Sequence, residues 1–148
     1  MAQQRSIVLQ GWLARLIAQD WSADQFTDAL LERKRVVNST WRFMQNHDFL
    51  ITPTTASVAF PVDLDGPAVI DGRDVESTAW LAFSALGNLT GLPAASVPIG
   101  FTRDGLPIGL QIMGSHLDDL GVLALAAAVE GLYATPCPPI AGAALWEF

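Results

Sequence analysis

The 148-residue sequence contains one cysteine, Cys137, so no disulfide can close within the chain, and such cysteine usage fits a reducing compartment. Charge is scarce: 16% of residues are Asp, Glu, Lys or Arg, against about 25% in a typical soluble domain. Basic charge is scarcest, with eight Lys and Arg residues against fifteen acids and a net charge of −7. Lys34 and the arginines form no stripe. Nucleic-acid binding by counter-ion release needs a basic face, so that class is set aside. Long apolar runs are missing too. The longest candidate, Leu120 to Leu132, is interrupted by Glu130 and falls short of the roughly 20 residues of a spanning helix. The apolar stretch near the N-terminus is broken by Gln10 and Arg15, and no small-residue cleavage site follows, which argues against a signal peptide. The expectation is a cytoplasmic chain. His47 and His116 lie far apart with no HExxH or CxxC spacing, so neither a metal nor any other cofactor is expected. Gly87 to Gly91 lacks the lysine of a phosphate loop.

What is abundant is apolar surface. Hydrophobic residues make up 51% of the chain, and the mean hydropathy is +0.33. With no membrane span to absorb it, that composition calls for more protein to pack against. The chain is long enough for one core.

The pattern of elements is α, α, β, α, β, β, α, an α/β or α+β layered arrangement. Residues 2–20 carry an approximate helical stripe of Ile7, Leu9, Trp12, Leu13, Leu16 and Ile17. Ser22 and Gln25 have capping-box spacing ahead of a long helix expected from Ala23 to Gln45, with Phe26, Leu30, Val37, Trp41 and Met44 on one face. Phe49 onward begins a short strand that Pro53 ends, because proline removes a ladder amide. Residues 61–76 are acidic and glycine-containing, either a lid or a solvent-facing connection. Residues 77–90 suggest a helix ending near Gly87 and Asn88. Ala94 to Phe101 and Pro107 to Met113 predict two antiparallel strands joined at Asp104-Gly105, a turn signal that depends on positive φ. Both runs are apolar without clean alternation, which predicts burial on both faces, and Pro98 predicts a bulge or an edge. Residues 118–133 predict an alanine-rich helix lying close to a sheet. Three short strands whose two faces both need cover make a poor independent sheet. The segments divide into an N-terminal helical piece, residues 1–21, and a main unit, residues 22–148.

Several of these stretches, in order, resemble the C-terminal part of amidase signature family hydrolases. They are Leu50 to Thr54 (a strand into a Thr-Pro-Thr turn), Asn88 to Ala94 (NLTGLPA) and Gly105 to Gln111 (GLPIGLQ). The resemblance covers roughly Phe26 to Ile140. It implies an α/β fold: the C-terminal part of a mixed-sheet α/β/α layered amidase domain, incomplete by itself. It implies hydrolysis of a carboxamide C–N bond by a serine nucleophile, a second serine on a cis peptide and a lysine, with no cofactor. The family places those groups before the matched region, in a glycine- and serine-rich segment that also forms the oxyanion hole.

This sequence has no such segment, and no two of its serines are adjacent. Lys34, in ERKRVV, reads as part of a solvated helix face. Ser115, His116, Asp118 and Asp119 have the letters of a triad, but triad members usually converge from separate parts of a fold, and a polar loop after a strand explains them better. Cys137, between prolines, is better explained as an ordinary thiol than as a nucleophile. No catalytic residue is therefore assigned.

The resemblance does place one element beside the acyl-binding cleft, the helix Ser77 to Asn88. Its Trp80, Leu81, Phe83 and Ser84 are the candidate substrate-binding residues, although helical spacing alone would make them core. Leu81 stands where the glutamine-handling branch has an acid, which implies a small neutral amide, aryl or alkyl. The implied partner is the missing N-terminal catalytic half, and the isolated chain is expected to be inactive. The alternative is a truncated non-catalytic binding or scaffolding module that self-associates or pairs with a separate N-terminal chain.

Overall fold

The computed structural model describes residues 17–133 together with Ala14. Most of the expected N-terminal helix, residues 2–20, and Cys137 lie outside the described residues.

Helix α1, Ala23–Met44, begins where its capping box predicts. The Gln25 amide donates to Ser22 Oγ at 3.1 Å, and the Ser22 amide donates to Gln25 Oε1 at 2.9 Å. Two orphan donors of the first turn are thereby satisfied. Asp24 in the first turn and Arg42 in the last complement the helix dipole. Strand β1, Phe49–Pro53, follows. The chain then leaves the sheet for the 54–78 excursion.

That excursion contains a small hairpin where the sequence pattern predicts only loop: β2, Val69–Ile70, pairs antiparallel with β3, Arg73–Asp74. Asp71 and Gly72 connect them with φ of 51° and 72°. Positive φ at both central residues is the geometry a two-residue hairpin needs. The expected Asp104-Gly105 turn is built differently. Only Gly105 has positive φ there, 80°, and the loop spans Thr102 to Leu106. The Gly105 amide donates to the Thr102 carbonyl at 3.0 Å, and the Leu106 amide donates to Thr102 Oγ1 at 3.1 Å.

A single 3₁₀ turn, Ala79–Leu81, runs into helix α2, Ala82–Thr90. The helix does not stop at Gly87 and Asn88 as expected. It continues to Thr90 and is capped by Gly91, whose φ of 71° is left-handed and whose amide donates to the Gly87 carbonyl at 2.8 Å. Strands β4, Ala94–Phe101, and β5, Pro107–Gly114, form the long hairpin. Helix α3, Asp119–Leu132, closes the described chain. Asp118 caps it, its Oδ1 accepting from the Gly121 amide at 3.1 Å. Gly121 leaves room for that cap, because a Cβ there would collide with the Asp118 carboxylate.

The sheet order is β1-β5-β4, with both ladders antiparallel. The β4 register shifts between Pro98 and Gly100, so the proline sits at a bulge on an edge strand, as expected. One face of the sheet carries the core: Val97 and Ile112 pack with Val122 and Ala126 of α3, ringed by Phe49, Ala95, Ile99, Leu110, Leu125 and Val129. Helix α3 lies tight against the strand end, since a Cβ on Gly114 would sit 2.5 Å from Val122 Cγ2. The opposite face meets α2, where Gly87 approaches Ala94 Cβ and Met113 Sδ. Helix α1 packs on α2 from outside. The result is the expected mixed α/β arrangement, with helices on both faces.

The expectation of two apolar faces needs correction. Thr52, Gln111 and Ser96 stand opposite one another across the three strands. Strand residues alternate between faces, so these three share the α2 face and make it polar over the centre of the sheet.

Candidate functional site

The candidate site is this polar seam and the elements it anchors. Gln111 is buried, and its Nε2 donates to Thr52 Oγ1 of β1 and to the Phe83 carbonyl of α2, both at 3.1 Å. One step along the strands, Thr54 Oγ1 and Ser96 Oγ share a hydrogen bond at 2.6 Å. They meet over Gly109, where a Cβ would fall 2.7 Å from Thr54 Oγ1 and 3.0 Å from Ser96 Oγ. Glycine is required at that point by close approach, not by backbone angle. The Thr54 amide also donates to the Gly109 carbonyl at 2.9 Å, extending the ladder past Pro53.

The four candidate substrate-binding residues fall on the continuous 3₁₀ and α2 segment, each half-buried. Their local tasks differ. Trp80 holds the 54–78 excursion: its Nε1 donates to the Asp65 carbonyl at 3.2 Å, its ring meets Phe60 edge-on at 5.4 Å, and its carbonyl accepts from the Ala56 amide at 3.0 Å. Gly66 allows that closure, because a Cβ there would collide with the Ser77 carbonyl oxygen. Ser84 Oγ donates to the Leu81 carbonyl at 3.1 Å, within the turn. Phe83 supplies the carbonyl that Gln111 grips. A cavity of about 200 Å³ opens beside the seam, lined by Pro53, Thr55, Ala56, Ser57, Val58, Pro107, Ile108 and Gly109, without any of the four.

The other single residues are not gathered. Lys34 is exposed on α1. His47 stacks on Phe43, with its Nδ1 2.8 Å from the Phe43 carbonyl. His116 lines a different cavity, of about 280 Å³, with Trp41 and Met44 of α1 and Thr90 of α2. Asp118 is committed to its cap. Among the described residues, no group of three His, Cys, Asp or Glu side chains could hold a metal ion. Nor is any helix there long and apolar enough to cross a membrane.

Sequence reasoning overlooked Thr52, Thr54, Ser96 and Gln111. The available signal was their period of two within otherwise apolar strands, which marks one face.

The same arrangement of strands and helices is found in known proteins, and residues 6–123 match the Amidase family. The chain belongs to the amidase family. It is 37% identical over 116 residues to a fatty acid amide hydrolase of Arabidopsis thaliana, covering 78% of this chain and 19% of that protein. It is 41% identical over 96 residues to an acylamidase of Rhodococcus erythropolis, covering 63% of this chain and 20% of that protein. Among solved structures, a bacterial aryl acylamidase of the amidase signature family superposes with a TM-score of 0.73 and 32% identity, over 83% of this chain and 26% of that one. This amidase-family chain thus spans about a fifth of the length of the curated relatives it matches.

Proposed function

We propose that this chain is the C-terminal portion of an amidase signature hydrolase. The whole enzyme cleaves a carboxamide C–N bond with a serine nucleophile, a serine on a cis peptide and a lysine, all outside this sequence. The observation that carries this reading is the family match over residues 6–123 in a chain whose match spans about a fifth of its relatives' length. In that enzyme the α3 face of the sheet is structural, and the seam side borders the substrate. Trp80, Leu81, Phe83 and Ser84 form a pocket wall, with Leu81 favouring a small neutral amide over glutamine. The partner is the N-terminal catalytic half, and the setting is cytoplasmic.

The chain's own residues then do three things. The seam fixes where the 54–78 excursion leaves the sheet. Trp80 pins that excursion back by its indole N–H. The apolar wall excludes water and orients the acyl part, the ordinary task of a pocket lining. Nucleophile, base and oxyanion donors come from the other portion.

The test has two arms. The native gene product, isolated from its own cell, should have a mass several times the 15.9 kDa of this chain. The purified 148-residue chain should hydrolyse neither a fatty amide nor an aryl acylamide. Turnover by the isolated chain that Lys34→Ala abolishes would overturn the assignment.

A self-associating module is the second reading. It is favoured by exposed apolar residues on α1: Phe26 at 63%, Leu30 at 51% and Trp41 at 60%. A monodisperse homodimer with cooperative unfolding, from a native product of 15.9 kDa, would establish it instead.

A further inference from the structure

Gln111 is an amide in the middle of an apolar strand and is only 6% exposed. A methionine or leucine would fill similar space without a polar group to desolvate. Its nitrogen is matched by two separate elements, β1 through Thr52 Oγ1 and α2 through the Phe83 carbonyl. A backbone carbonyl can only accept, so the nitrogen end of the amide must face α2, and its orientation is fixed.

Helix α2 itself has few other directional constraints; just before it, the Trp80 carbonyl and indole N–H bond to the 54–78 excursion, not to the sheet. Its N-cap position, Leu81, offers no side-chain cap, and none of its residues is fully buried. The Ser84 and Thr90 hydroxyls bond to carbonyls of their own turns. Apolar contact with Met113 and Ala94 holds the helix near the sheet but does not set its rotation, because such contact is non-directional. A hydrogen bond does set it, since it weakens steeply when misaligned.

We propose that Gln111 is a positioning residue for the pocket wall. It locks the first turn of α2 to β1, and so sets the height and rotation of Leu81 to Ser84 over the seam. This rests on the reading of that segment as substrate-facing, but the lock itself can be measured without catalysis.

The experiment is hydrogen exchange on the complete native gene product, resolved by peptide and corrected for intrinsic rates. Gln111→Leu removes both donors at similar size. Peptides covering 81–90 should then exchange about tenfold faster, while those covering 119–132 keep wild-type protection. Gln111→Glu is the sharper variant. When ionised it turns only acceptors toward the Phe83 carbonyl, and when protonated it can donate one hydrogen bond. Burial and the facing Phe83 carbonyl both disfavour the ionised form, so this carboxyl should protonate above the ordinary glutamate range; protection of α2 should be lost at alkaline pH and return at mildly acid pH.

A residue that merely filled space would show no such recovery. Should Gln111→Leu fail to fold, Gln111→Glu under acid remains a complete test. The proposal is overturned if α2 keeps its protection in Gln111→Leu. It is equally overturned if α2 and α3 lose protection together, or if Gln111→Glu is loosened alike at both pH values. Failure of the substrate-wall reading would look different. Leu81→Asp in the complete enzyme would leave amide selectivity unchanged, while the exchange result stood.

Discussion

The two faces of the three-stranded sheet are made from the same strands and do opposite things. On one face Val97 and Ile112 meet Val122 and Ala126 of α3 in a buried apolar cluster. On the other, Thr52, Gln111 and Ser96 line up across the strands, and Thr54 and Ser96 meet over Gly109. The first face is held by area removed from water, which tolerates small rotations. The second is held by hydrogen bonds whose partners must align. Stability should therefore reside mainly on the α3 face, and geometry on the α2 face.

The largest effect is expected at Ile112, which is 0% exposed. Ile112→Ala should destabilise the chain by about 2–5 kcal/mol in denaturant unfolding, with protection lost everywhere at once. A loss confined to α2 would contradict the division between the faces. Next in size, Gly109→Ala places a methyl group 2.7 Å from Thr54 Oγ1. It should cost about 1–3 kcal/mol and open the excursion after Thr54 to protease before α3 is affected.

Asp118→Ala removes the side-chain acceptor that caps α3. It should cost about 1 kcal/mol, read as a lower unfolding midpoint, and leave the exchange of α2 unaltered. Smallest is Ser96→Ala, which deletes one hydroxyl of an accessible pair. A change of about 0.5 kcal/mol or less is expected, with faster exchange at residues 54–57 as the sharper measure. Equal effects of Ser96→Ala and Ile112→Ala would end the distinction between the faces.

Much of the fold was legible in the sequence because it is written locally. The capping box at Ser22 and Gln25 involves residues three apart, and α1 starts where it says. Pro53 ends β1, and Pro98 sits at a bulge on an edge strand. Two of the three Asp-Gly pairs show where local reading stops. Asp71-Gly72 closes a two-residue hairpin, while Asp104-Gly105 sits in a longer loop with only the glycine at positive φ. The dipeptide permits either turn, and the strand register on each side selects between them. Helix α2 overran Gly87 and Asn88 for a related reason. Gly87 keeps helical geometry in mid-helix, and the left-handed cap is taken by Gly91, with φ of 71°.

The candidate site was less legible. Trp80, Leu81, Phe83 and Ser84 could be placed on one short segment. Nothing in their spacing showed that Trp80 spends its N–H on Asp65, or that Phe83 matters here through its carbonyl. Gln111 is 28 residues from Phe83 and 59 from Thr52.

The helices, the main strands, the cap at Ser22, the excess of apolar surface and the kinship to amidases could all be read along the chain. These depend on neighbours within a few residues or on motifs in a fixed order. Which face of the sheet is polar, and which residues cross it, could not be read that way. A period of two says that alternate residues share a face, but not which face, nor what lies opposite. Pairing β1 and β4 on either side of β5, and seating α2 and α3 on opposite faces, makes those choices. They depend on contacts between residues far apart in the chain.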